Sequence, residues 1–130
     1  MITMLLQKPF FKYVPAITWS GIIFLVCLIP GNDLPHDDFF DKIHLDKIVH
    51  ATLYFILFLL LLYGMKQHAF KLNRKLTIDA IVCIAQGILI ELLQGSSLIK
   101  NRSFEFADIA ANVCGVLIAV VYTTLKNKNE

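Results

Sequence analysis

Charged residues are scarce in this 130-residue chain, and their scarcity argues against a soluble globular domain. Asp, Glu, Lys and Arg make up 17% of the residues and hydrophobic residues 57%, with a mean hydropathy of +0.66. Soluble domains carry about 25% charged residues. The twelve basic residues exceed the ten acidic ones by only two and are scattered along the chain. They form no basic stripe of the kind that binds nucleic acid, so we expect no nucleic-acid partner.

Cysteine is also rare. Cys27, Cys83 and Cys114 all lie within apolar runs and form no C-x-x-C pair. An odd number of cysteines at such spacings predicts neither a disulfide framework nor a zinc motif. The sequence identifies no cofactor and assigns no metal ligands.

Long apolar runs are what the chain does have. Four runs approach the roughly 20 helical residues that cross a bilayer core of about 30 Å. The sequence therefore predicts an all-α fold, an integral membrane four-helix bundle in which residues 1–130 form a single domain. The helices are expected at about 13–29, 47–64, 76–94 and 106–125.

The first run follows two lysines, a pattern also typical of signal peptides. It ends in Ile29-Pro30-Gly31 without the small-x-small pair that a signal peptidase cleaves. We therefore expect a retained first helix.

The distribution of Lys and Arg predicts the orientation of the bundle, because cytoplasmic loops are enriched in both. Four basic residues fall on one side: Lys42, Lys47, Lys100 and Arg102. Eight fall on the other: Lys8, Lys12, Lys66, Lys71, Arg74, Lys75, Lys126 and Lys128. Both termini should then be cytoplasmic. The connection at 31–47, with Asp33, Asp37, Asp38, Asp41, Asp46 and the pair Phe39-Phe40, should face outward together with the 95–105 loop.

Polar residues recur on three helices at this outer side. Asp46, His50 and Tyr54 have the i, i+4, i+8 spacing of one helical face. Glu91 and Gln94 fall in the last turn of the third helix. The fourth helix begins with Asp108 and places Asn112 one turn deeper. Ionisable residues within membrane segments mark functional sites by default, so we expect His50, Glu91, Asp108 and Asn112 to face one another.

Chemical roles follow from the residue types. His50, Glu91 and Asp108 are the candidate catalytic residues, with Asp46 or Asp108 orienting His50 as a general base and Glu91 donating a proton. Arg102 is expected to fold inward, pair with Glu91 or Asp108, and bind phosphate. A divalent ion would find suitable N and O donors in this set, but no metal-motif spacing demands one. The candidate substrate-binding residues are Asp46, Lys47, Tyr54, Gln94, Arg102 and Asn112.

Simpler interpretations remain open for several of these residues. His50 fits a histidine at headgroup level, and Arg102 fits a contact to lipid phosphate. Asp79, with Thr77, fits the cap and first turn of the third helix, where a carboxylate offsets the helix dipole. The small residues Ala107, Ala111, Gly115 and Ala119 fit close helix packing in lipid.

The order of these motifs resembles the VanZ-like family. The resemblance rests on four fragments: Asp46-Lys47-Ile48-Val49-His50 with Tyr54, then Glu91-x-x-Gln94, Arg102-Ser103, and Asp108-x-x-Ala111-Asn112-x-x-Gly115. The resemblance implies a small multi-pass protein of the bacterial inner (plasma) membrane. The family takes its name from a protein that raises resistance to teicoplanin, a glycopeptide that acts on the cell wall. Membership implies no settled mechanism. The 95–101 loop departs from the family pattern, because it lacks a Pro-Gly step before Arg102.

Three functions remain open from the sequence. The first is an enzyme acting on an envelope lipid or lipid-linked, anionic wall precursor. The second is a non-catalytic accessory protein that binds such a lipid, an antibiotic or a partner, and the third is a small proton-coupled transporter. Transport is disfavoured because its path needs polar groups at the midplane, where the second helix is almost purely aliphatic. Four helices would have to form a homodimer to build such a path.

Overall fold

Helices make up all the regular structure in the described part of the chain. The computed structural model describes residues 9–30 and 45–129. Residues 31–44 of the acidic connection, which include Phe39-Phe40 and Lys42, lie outside these residues, as does Lys8. A 3-10 turn at Pro9–Tyr13 leads into four α-helices: α1 Val14–Cys27, α2 Leu45–Met65, α3 Leu72–Gln94 and α4 Phe106–Asn129.

Each helix is long and apolar enough to cross a membrane. Including the 3-10 turn, the four spans have 18, 21, 23 and 24 residues, with mean hydropathies of 1.6, 2.1, 2.0 and 1.8. Large apolar side chains are exposed along their outer faces, as at Leu25 (75% exposed) and Ile118 (58%). The expected all-helical fold with four long apolar helices is confirmed, and it indicates a multi-pass membrane protein.

The start of α3 differs from the prediction. The helix begins at Leu72, four residues before the expected start, so Thr77 and Asp79 lie inside it rather than at its end. Thr77 Oγ1 donates to the Asn73 carbonyl 2.9 Å away, a contact typical of helix interiors. The interpretation of Asp79 as a first-turn carboxylate is wrong. Asp79 is 2% exposed and its Oδ2 has no hydrogen-bond partner among the described residues.

The closest helix pair is α2 with α4. A Cβ atom added to Gly115 would overlap the Ala51 main chain. The predicted small-residue face is therefore rotated: Gly115 and Ala119 are buried, whereas Ala107 is exposed and Ala111 only half-buried. The face that packs on α2 carries Asp108, Asn112, Gly115 and Ala119, and so it brings the polar residues of α4 against α2.

Helix α1 is joined to α2 and α3 by hydrogen bonds. Trp19 Nε1 donates to the Leu53 carbonyl at 3.0 Å, and Ser20 Oγ donates to Gln86 Oε1 at 2.9 Å. The core between the helices is apolar, with Ile23, Phe58 and Ile90 at most 1% exposed. Helices α2, α3 and α4 also pack on one another, which places their ends side by side.

Candidate functional site

Three helices supply buried titratable groups at the same end of the bundle. His50 lies in the second turn of α2, Glu91 in the last turn of α3, and Asp108 in the first turn of α4. They are 7%, 0% and 7% exposed. One ring nitrogen of His50 and one carboxylate oxygen each of Glu91 and Asp108 lie within 4.8 Å of one another. With Asn112, which is 2% exposed, these residues form what we call the polar cluster.

Asn112 orients the imidazole. His50 Nδ1 lies 3.0 Å from Asn112 Oδ1. Because an amide oxygen only accepts hydrogen bonds, Nδ1 carries the proton and a neutral ring keeps its lone pair on Nε2. Nε2 faces Asp108 Oδ2 at 3.7 Å. Asp46 or Asp108 was expected to orient His50. The ring donates its hydrogen bond to Asn112 instead, while Asp108 faces the other ring nitrogen.

Lys47 neutralises the outer edge of the polar cluster. Its ammonium bonds to Asp108 Oδ1 and lies 2.7 Å from both Asp46 Oδ2 and Glu105 Oε2. An ammonium has three donors, and three carboxylates take them. The side chain expected to bind substrate therefore serves as a counterion, and Asp46 lies beside it without a described contact to His50.

Glu91 is held from the start of α4. The Glu105 N–H donates to Glu91 Oε2 at 3.1 Å, at a helix end whose first N–H groups have no intrahelical acceptor. The other oxygen, Oε1, is buried and has no hydrogen-bond partner among the described residues. Glu91 thus keeps one oxygen free in the interior.

Gln94 and Arg102 both contact the end of α1. Gln94 Nε2 donates to the Cys27 carbonyl at 2.7 Å, and Arg102 Nη2 donates to the same oxygen at 3.2 Å. Arg102 forms no ion pair with Glu91 or Asp108 among the residues that the structure describes, so the expected pairing is wrong. The last carbonyls of a helix have no intrahelical donor, and these side chains supply it.

The deep side of the polar cluster is lined by Tyr54 and Gly87. Tyr54 is fully buried, and its hydroxyl and Asn112 Nδ2 have no hydrogen-bond partner within the described ranges. A Cβ atom on Gly87 would lie 2.9 Å from Asn112 Nδ2 and 3.5 Å from the Tyr54 hydroxyl. Glycine at this position leaves the space that both groups use.

Sequence reasoning missed two residues and one backbone group. Glu105 had a signal, because it is an acidic residue directly before the start of α4 and only three residues before Asp108. Gly87 and the Cys27 carbonyl had no such signal. The sequence does not show which glycine is buried beside a site or which main-chain carbonyl accepts a side-chain hydrogen bond.

The titratable groups of the polar cluster offer acceptor atoms rather than donors. Nε2 of His50, Oδ2 of Asp108 and Oε1 of Glu91 all belong to it, and the nearest cations are bound elsewhere, Lys47 to three carboxylates and Arg102 to the Cys27 carbonyl. Such a set can accept a proton or bind a cation.

Compared with known proteins, the chain matches no family model, no curated protein and no solved structure.

Proposed function

We propose that the bundle spans the bacterial plasma membrane with both termini in the cytoplasm and the polar cluster at the outer leaflet. The resemblance to the VanZ-like family supports a bacterial membrane. The basic residues support the orientation. Six of them flank the opposite ends of α2, α3 and α4: Lys66, Lys71, Arg74, Lys75, Lys126 and Lys128. Lys and Arg concentrate on the cytoplasmic side.

Cysteine labelling tests this orientation. In a variant without the three native cysteines, a cysteine at Ser97 should react with a membrane-impermeant maleimide added to intact cells. A cysteine at Lys71, which is also exposed but lies at the other end of the bundle, should react only after the membrane is permeabilised. Labelling of the Lys71 site in intact cells would reverse the proposed orientation.

The function supported best is action on the anionic headgroup of an envelope lipid or lipid-linked wall component. One observation carries it: three buried titratable groups from three helices converge at one membrane end. His50 Nε2 would be the general base, because Asn112 holds the proton on Nδ1. Glu91 Oε1, buried and unpartnered among the described residues, would exchange a proton with the leaving group.

A binding protein without turnover is the second candidate. The polar cluster contains no hydroxyl or thiol nucleophile, and the Lys47 ammonium is fully engaged by carboxylates. These features fit an accessory protein that holds a headgroup as well as they fit an enzyme. In either role the protein would alter susceptibility to glycopeptide antibiotics, as the family resemblance implies.

Comparison of lipid and wall-precursor inventories separates the two candidates. Cells producing the protein should contain a covalently altered lipid or precursor that is missing from cells without it. His50→Gln should abolish that species at equal membrane abundance, because it removes the Nε2 base. The control is His68→Gln, which changes an exposed histidine near the basic end. An unchanged inventory, with altered teicoplanin susceptibility that still requires His50, would reject turnover and support binding.

A further inference from the structure

We propose that the polar cluster binds one divalent transition-metal ion, of the Zn²⁺ or Mn²⁺ class, through His50 Nε2, Asp108 Oδ2 and a carboxylate oxygen of Glu91. The three side chains come from three different helices, so the site has no short sequence motif that would predict it. Their ligand atoms lie within 4.8 Å of one another. One imidazole and two carboxylates form a donor set suited to such ions.

The hydrogen bond behind His50 is the first argument. Histidines that bind metals donate their second ring N–H to an acceptor, which fixes the tautomer and aims the lone pair at the ion. Asn112 Oδ1 is that acceptor, 3.0 Å from Nδ1. The Nε2 lone pair then points towards Asp108 Oδ2, an acceptor 3.7 Å away. Two acceptors facing each other in a buried site are satisfied either by a proton on Nε2 or by a cation between them, and the metal ion is the occupant that we propose.

Glu91 provides the independent second observation. It is fully buried, yet Oε1 has no hydrogen-bond partner among the described residues. Its second oxygen is held by the Glu105 N–H, and this contact fixes the direction of the carboxylate. A buried carboxylate oxygen without a donor is destabilising unless the group is protonated or a cation satisfies it.

The two carboxylate oxygens of Asp108 face different neighbours, which fits the same assignment. Lys47 bonds to Oδ1 and leaves Oδ2 on the His50 side. A second acidic group, Asp46 with Glu105 and Asp108, also has oxygens close enough to hold an ion. The Lys47 ammonium already bridges those three carboxylates. The metal is therefore assigned to the inner group and the lysine to the outer one.

The local charge explains what the metal would do. Among the described residues, two permanent cations lie near the four carboxyl groups of Asp46, Glu91, Glu105 and Asp108. Lys47 bonds to three of them, and Arg102 bonds to the Cys27 carbonyl instead. With all four carboxyl groups ionised, an anionic headgroup would meet an excess of two negative charges. A divalent ion removes that excess and offers open coordination positions to phosphate oxygens. This last step rests on the proposed function but changes one role in it: with the metal bound, His50 Nε2 is a ligand and no longer the general base. Metal binding itself does not rest on the proposed function.

Metal content of the purified protein tests the proposal. The full chain would be produced with a tag that contains no histidine, and exposed Cys114 would be changed to serine to remove a competing thiolate. After stripping with chelator, incubation with Zn²⁺ or Mn²⁺ and gel filtration in detergent, we expect about one bound ion per chain. His50→Gln and Asp108→Asn should each weaken binding at least tenfold. His68→Gln, the matched exposed histidine, should leave it unchanged.

The outcomes distinguish failure of the metal site from failure of the proposed function. A monodisperse protein that retains less than a tenth of an equivalent of either ion overturns the metal site, even if the two variants do not fold. Equal retention by the parent protein and both variants would also overturn it. Metal binding with an unchanged lipid inventory and unchanged teicoplanin susceptibility would instead support the metal site and reject the proposed action on lipid.

Discussion

Gly115→Val should prevent stable assembly of the bundle. A side chain at this position would overlap the carbonyl oxygen, carbonyl carbon and Cα of Ala51. Main-chain atoms of a helix cannot move aside as the end of a flexible side chain can, so α2 and α4 would have to separate. Overpacking of a core typically destabilises by about 1–3 kcal/mol, and we expect about 3 kcal/mol or more here. Loss of monodisperse protein on heating in detergent measures the effect.

Gly21→Ala is the matched control for this change. Gly21 also lies within a membrane-length helix, but a Cβ atom there meets nothing within 4 Å. Alanine is the better helix former by roughly 0.5–1 kcal/mol, so the midpoint of thermal unfolding should stay constant or rise. A Gly115→Val protein as heat-stable as the Gly21→Ala protein would contradict the close approach of α2 and α4.

Lys47→Met should have the second large effect. It removes the cation shared by Asp46, Glu105 and Asp108 and leaves the mostly buried Asp108 without its counterion. Removing one partner of a buried ion pair typically destabilises by about 3–5 kcal/mol. The Lys47 side chain is 23% exposed, so solvent screening places the expected loss near or below about 3 kcal/mol. Thermal unfolding in detergent is again the measurement.

A double-mutant cycle shows whether the loss comes from the ion pair. In a Lys47→Met, Asp108→Asn protein the uncompensated carboxylate is gone, so the two changes together should destabilise less than the sum of the single changes. Lys100→Met removes an exposed lysine of the α3–α4 loop and should be neutral. Additive effects of the Lys47 and Asp108 changes would show that the two side chains do not interact.

The number of helices and the position of the polar end were predictable because each depends on a strong physical constraint. An apolar run must reach across a bilayer, and antiparallel connections place the end of α3 beside the start of α4. Depth along a helix follows directly from residue number. Residues as distant in sequence as His50 and Asp108 could thus be placed at one end of the bundle.

Hydrogen-bond partners were less predictable than depth. Several acceptors lie at the same level, and spacing does not say which one a donor reaches. The Arg102 guanidinium contacts a main-chain carbonyl, and backbone acceptors leave no trace in residue type. The start of α3 was misplaced for a related reason: Asn73, Arg74 and Lys75 interrupt the apolar run without interrupting the helix.

The contact of Gln94 and Arg102 with the Cys27 carbonyl has a consequence for how α1 tolerates change. Both donors recognise the main chain, and every residue type presents the same carbonyl oxygen. Replacing Cys27 by another apolar residue of similar size preserves both contacts. Inserting one residue before it would turn the carbonyl by about 100° and shift it by about 1.5 Å along the axis. The position of α1 is thus set by its length and register rather than by the identity of its last residue.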